Sequence, residues 1–117
     1  MFLKLAHTKL DIFFVTKQLV ISCYNKSKLL PIDEKFNMIQ QLRRAALSVH
    51  LNIAEGCSRK SEIERRRFFE ISRGSLIEVD TIFDISIELN YYKKEELEET
   101  GILIVRVVQM LNKMIKY

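Results

Sequence analysis

This 117-residue chain contains one proline and three glycines. A β sandwich or barrel reverses direction about every 8–12 residues and needs far more turn residues than that, so both are excluded. What remains is a set of long helices with few breaks. Pro31 marks one of them. The residue before a proline is pushed out of the helical region, so a first helix spanning about Leu5 to Lys28 ends by Leu29–Leu30. Its inner stripe is read as Leu10, Phe14, Ile21 and Tyr24, widened by Phe13 and Val20, with the stem of Lys17 across the seam.

A second helix is expected from Ile32 or Asp33, where Asp33 and Glu34 suit the positive end of its dipole. Ile39, Leu42, Ala46, Val49 and Ile53 recur at alternating spacings of three and four, the seam of left-handed bundle packing. Gly56 stands where a C-cap belongs. Ser61-Glu62-Ile63-Glu64 has the capping-box pattern and opens a third helix, with inner residues Phe69, Ser72, Leu76, Val79, Phe83 and Ser86 and Asn90 as its C-cap. A fourth helix runs from about Lys93 to Ile115. Its acidic start (Glu95, Glu96, Glu98, Glu99) and basic end (Lys113, Lys116) both suit the dipole. The β-branched run from Gly101 to Val108 would also suit a strand, but a lone strand has no partner, and Leu97, Ile104, Val108, Leu111 and Ile115 keep helical spacing. The expectation is a single all-α domain over residues 1–117, an antiparallel up-and-down four-helix bundle.

In a hairpin of helices two and three, Ala45 and Ala46 are expected level with Ser72–Ser75, and Gly74 is expected to let the backbones approach. Beside the apolar seam runs a polar stripe that includes Arg44, Asn52 and Glu55. Glu70 and Glu78 are expected within reach of Arg43 or Arg44. Two readings stand for this stripe: an interhelical polar network, or a groove for a ligand or partner.

Charge is unevenly spread. Residues 1–42 carry six Lys/Arg against three Asp/Glu, residues 43–73 eight against four, and residues 74–117 five against eight. The basic residues concentrate at Arg59, Lys60, Arg65, Arg66 and Arg67, with Arg73 two turns later. Arginine forks suit phosphate, whereas arginines near a helix N-terminus oppose the dipole. Either the cluster binds nucleic acid with strong salt dependence, or it is a solvated helix start partly offset by Glu62 and Glu70.

Enzyme chemistry finds little support. His7 and His50 have no metal-ligand spacing. Cys57 lies near Arg59, which would lower its pKa, but no histidine is placed to act as its base. The row Asp80, Asp84, Glu88 lacks the Glu-x-x-His pairs of metal-binding bundles. No catalytic residue, metal or cofactor is assigned. Cys23 and Cys57 read as reduced thiols of a cytoplasmic protein, with no membrane span and no signal peptide.

Helix four is apolar on nearly all sides. A helix in a lone bundle exposes one face, so Ile102, Val105 and Val107 are expected to be covered by another subunit, and a closed homo-oligomer is the default.

Two motifs carry a family resemblance. The segments Glu34-Lys35-Phe36, Gln41 to Ser48 and Asn52 to Gly56 resemble one signature, and Phe68 to Glu78 the other, of the four-helix-bundle proteins encoded in intervening sequences of 23S ribosomal RNA genes. The resemblance covers most of the chain and is clearest from Lys35 to Tyr91. It implies a bundle that assembles as a homopentameric ring around a channel. It also implies kinship with the accessory proteins of diversity-generating retroelements, which have a basic surface and partner a reverse transcriptase. It implies no enzymatic activity and no cofactor. The expected function is therefore non-enzymatic binding of RNA through the basic patch, with a protein-interaction scaffold lacking intrinsic RNA binding as the alternative.

Overall fold

The computed structural model describes residues 2, 3 and 5–115. All regular structure among them is helical, in four α-helices: α1 (Asp11–Ser27), α2 (Met38–Ser58), α3 (Glu62–Glu88) and α4 (Glu98–Met114). Short 3-10 turns at Ala6–Lys9, Ile32–Glu34 and Lys94–Leu97 precede α1, α2 and α4. The run from Gly101 to Val108 is helix. No helix among the described residues is long and apolar enough to cross a membrane.

Local chemistry sets the ends. Leu10 is extended (φ −77°, ψ 138°), so the first ten residues do not continue α1 as expected. Ser61 Oγ accepts from the Glu64 amide at 3.0 Å and starts α3. At the far end Asn90 takes φ 63°, the Tyr91 amide donates to Ser86 O and the Asn90 amide to Ile87 O, both at 2.9 Å. This is a Schellman cap with asparagine in the left-handed position.

Each helix packs on two neighbours: α1 on α2 and α4, α3 on α2 and α4. Cross-helix partners run in opposed order along the pairs. Thr16 meets His50 while Ser27 meets Arg43, and Ser75 meets Ser48 while Ser86 meets Met38. One cluster fills the middle: Ile12, Val15, Leu19 and Cys23 of α1, Leu42, Ala46, Val49 and Ile53 of α2, Phe69, Leu76, Val79 and Phe83 of α3, and Val107 and Leu111 of α4. Burying a Leu- or Val-sized side chain contributes roughly 1.5–3 kcal/mol. No buried side-chain nitrogen or oxygen among the described residues lacks a hydrogen-bond partner.

Four expectations need correction. In α1 the stripe Leu10, Phe14, Ile21 faces outward, with Phe14 62% exposed, and the core face is the one carrying Thr16 and Cys23. In α4 Val107 is fully buried in the protomer's own core and is no surface for a partner, whereas Ile102 and Val105 are 62% and 55% exposed. Gly56 does not cap α2. It lies inside the helix, and a Cβ there would sit 2.6 Å from Phe69 Cε1. Gly74 faces outward with nothing within 4 Å of a Cβ, so it makes no close approach. The hydroxyls carry the α2–α3 crossing instead: Ser72 donates to Val49 O at 2.7 Å, and Ser48 shares a 2.8 Å hydrogen bond with Ser75.

Candidate nucleic-acid interface

Five cations lie close in sequence at the α2–α3 turn, Arg59 and Lys60 before α3 and Arg65, Arg66 and Arg67 in its first turns. Arg59 caps α2 in extended conformation, its amide on Gly56 O. Its guanidinium pairs with Glu55 at 3.3 Å and lies 4.9 Å above the Phe68 ring. Arg65 Nε donates to Arg59 O at 2.6 Å, which ties the first turn of α3 to the end of α2. Lys60 and Arg67 are exposed, and Arg66 is half-buried. The Arg59–Glu55 pair is solvated, so it holds orientation more than stability, with well under about 1 kcal/mol expected. Glu62 and Glu64 sit in the first turn and offset the dipole conflict.

Arg73 does not join this group. It stands two turns up α3, and its Nη1 donates to Asn112 Oδ1 of α4 at 2.9 Å. It is a strut between two helices.

The polar stripe divides as well. Arg43 turns toward α1, where its Nε donates to the buried Ser27 Oγ at 2.8 Å and its guanidinium lies 5.1 Å over the Tyr24 ring. Arg44, Glu70 and Glu78 are exposed, and no ion pair joins Arg43 or Arg44 to either glutamate among the described residues. Asn52 serves its own helix, donating to Ser48 O at 2.8 Å and to Ser48 Oγ at 3.0 Å. The expected network between charged groups of α2 and α3 is replaced by hydroxyls, because serine at the crossing keeps long charged stems on the outside.

Below the basic cluster lies a cleft of about 500 Å³ between the Ala6–Lys9 turn, the end of α2, the start of α3 and Met114 of α4. Glu62, Arg65, Arg66 and Phe69, which share one face of α3 by their spacing, line it together with Leu10, Cys57 and Met114. Sequence reasoning missed it because it merged Leu5–Leu10 into α1. The available signal was Asp11, an acidic residue suited to the first turn of a helix that begins there.

Burial raises the Cys57 thiol above its usual value, and Arg65, not Arg59, partly opposes this. His50 is held below its usual value by burial and then by Lys17 and His7. Its Nδ1 lies 2.7 Å from Thr16 Oγ1 and its ring stacks 4.2 Å from Phe13. Burial pushes Cys23 up to about 12. Asp80 and Asp84 edge a second groove of about 680 Å³ between α3 and α4, facing Lys94 and Arg106 across an apolar floor. No group of three or more His, Cys, Asp or Glu among the described residues could hold a metal.

None of the curated proteins compared matches the chain. A crystal structure of a protein of unknown function from the S23 ribosomal protein family, from Bacteroides thetaiotaomicron VPI-5482, has the same fold. Its TM-score is 0.82 at 20% identity, covering 91% of this chain and 99% of that one. The model of the 23S rRNA-intervening sequence protein family matches residues 8–113. The chain, matched over nearly its whole length, therefore belongs to the 23S rRNA-intervening sequence protein family.

Proposed function

We propose that this protein is a non-enzymatic, homo-oligomeric bundle that binds RNA through its basic end. The observation that carries the reading is the density of cations in and after the α2–α3 turn, Arg59, Lys60, Arg65, Arg66 and Arg67, with Arg65 hydrogen-bonded to Arg59 O. Forks fixed in place contact phosphates with little sequence preference and strong dependence on salt. The family description names the 23S rRNA intervening sequence, so RNA of such a sequence is the ligand to try first.

The oligomeric part rests on two apolar strips. Phe14 and Ile21 of α1 with Leu47 and Leu51 of α2 are exposed and supply one, and Ile102 and Val105 of α4, beside the α3–α4 groove, supply the other. Copies joined head to tail through them form a ring when the rotation between neighbours closes. Five copies is the number that the family resemblance implies.

Electrophoretic shift assays across a salt series test RNA binding. Replacing Arg65, Arg66 and Arg67 with Ala should lower the slope of log affinity against log salt by about 2–3, the loss of three phosphate contacts. Unchanged affinity and slope would sink the assignment. Absence of RNA binding at physiological salt, with a protein specifically co-purifying, would favour the scaffold alternative. Light scattering on a sizing column tests assembly. A monomer contradicts it, as does an Ile102→Asp, Val105→Asp variant that keeps the wild-type mass.

A further inference from the structure

The lining of the cleft at the basic end is of two kinds. Leu10, Phe69 and Met114 supply carbon and sulfur; Arg65, Arg66 and the carboxylate of Glu62 supply charge. Its volume of about 500 Å³ falls in the range of small-ligand sites, which are mostly apolar with a few convergent polar groups. The hydrogen bond from Arg65 Nε to Arg59 O fixes that guanidinium at the rim. Free phosphate needs no apolar wall, and a base stacked inside a duplex cannot reach one. An unpaired nucleotide offers a phosphate for an arginine fork, a planar face for an apolar wall, and an exocyclic amine or ring N–H for a carboxylate.

We propose that this cleft takes one unstacked nucleotide, its phosphate on Arg65 and Arg66, its base against Leu10, Phe69 and Met114, and its N–H edge on Glu62. The inference rests on the RNA-binding reading and narrows it from backbone contact to capture of an unpaired residue. The shared chemistry is a nucleoside monophosphate, either free or within a single-stranded segment.

Cys57 lines the same cleft and reports on it in the unaltered protein. Cys23 is fully buried and its thiol is pushed up to about 12, so the half-buried Cys57 is the thiol that reagent meets first. Iodoacetamide labelling of Cys57 is timed with AMP, GMP, adenosine or inorganic phosphate present. At ten times the Kd a bound nucleotide should slow labelling about tenfold by occupancy alone, and inorganic phosphate should slow it much less. No slowing by either nucleotide at millimolar concentration overturns the proposal, as does equal slowing by inorganic phosphate.

A variant separates this failure from failure of the RNA reading. Ala6→Trp fills the cleft without removing a cation. It should weaken binding of a hairpin with an unpaired loop about tenfold, the value of one stacked base, and leave a blunt duplex bound as by wild type. If Ala6→Trp binds both RNAs like wild type, the cleft assignment falls and the basic patch stands. If wild type binds neither RNA while nucleotides still protect Cys57, the cleft stands as a mononucleotide site and the RNA reading falls.

Discussion

Two glycines in long helices make opposite predictions from the same substitution. At Gly74 a Cβ meets nothing within 4 Å, so Gly74→Ala gains the helix propensity that glycine lacks, about 1 kcal/mol. At Gly56 the new Cβ would sit 2.6 Å from Phe69 Cε1, 3.0 Å from Phe69 Cδ1 and 3.2 Å from Phe68 Cβ. Phe69 is buried, so its ring has little room to swing, and relieving the contact means moving α3 away from α2. Overpacking of this kind costs about 1–3 kcal/mol. Set against the propensity gain of about 1 kcal/mol, Gly56→Ala should end between neutral and about 2 kcal/mol destabilised. The two variants should therefore differ by roughly 1–3 kcal/mol with identical chemistry changed. Urea unfolding followed by helical circular dichroism measures both, and each kcal/mol should move Tm by about 3–6 °C. A Gly56→Ala protein more stable than wild type would refute the packing argument. A destabilised Gly74→Ala would refute the claim that this face is open and would mean that something outside the protomer presses on it.

Ser72→Ala should cost about 1 kcal/mol, since its hydroxyl donates to Val49 O in the core, whereas Ser58→Ala, which removes a bond to Glu55 O at the surface, should cost almost nothing by the same urea assay. His50 has its pKa lowered from 6.5 by burial, Lys17 and His7, so the unfolded chain takes up the proton first as pH falls. Stability should decline as pH drops below about 6.5 and level off once the folded form is protonated too; urea midpoints across that window, compared with those of His50→Gln, check it, and an equal slope in the variant would exclude His50 as the cause. Of the two thiols only Cys57 should label in the folded protein, with Cys23 appearing after unfolding in a timed thiol assay.

The legibility of the helices in sequence follows their amphipathicity. In α3 the six residues read as inner, Phe69, Ser72, Leu76, Val79, Phe83 and Ser86, are all buried. In α2 Leu42, Ala46, Val49 and Ile53 are buried and Ile39 packs against the core. The exposed Leu47 and Leu51 of α2 and Ile71, Ile77 and Ile85 of α3 fall outside those three-and-four spacings, so period and core coincide. α1 carries two apolar faces. The stripe of large residues, Leu10, Phe14 and Ile21, looks like the core by size, but the buried face includes Thr16 and Cys23, whose value lies in fitting a tight crossing. α4 is aliphatic on several sides, so spacing could not tell Val107, which faces inward, from Val105, which does not. Of the six cations read together at the candidate site, Arg59 and Arg65 are joined by a hydrogen bond and Arg73 stands apart. Arg73 departs because Asn112, distant in sequence, comes level with it across α3 and α4. The cleft was illegible because its roof depends on a backbone break at Leu10 that no proline or glycine marks.

Hydroxyls cross this bundle repeatedly: Thr16 with His50, Ser22 with Thr100, Ser27 with Arg43, Ser86 with Met38, and Ser48 and Ser72 with Ser75 and Val49 O. Leu, Ile and Val side chains are nearly interchangeable, and a helix sliding by one heptad would find other aliphatic neighbours of similar worth. Ser72 and Ser75 would lose their partners across the α2–α3 crossing, and each buried hydroxyl left without a bond costs about 1–3 kcal/mol. They work as alignment keys that reject slipped packings. Mutational tolerance should then be lopsided, with aliphatic swaps in the core absorbed and the loss of a small serine or threonine releasing the chain into several competing packings.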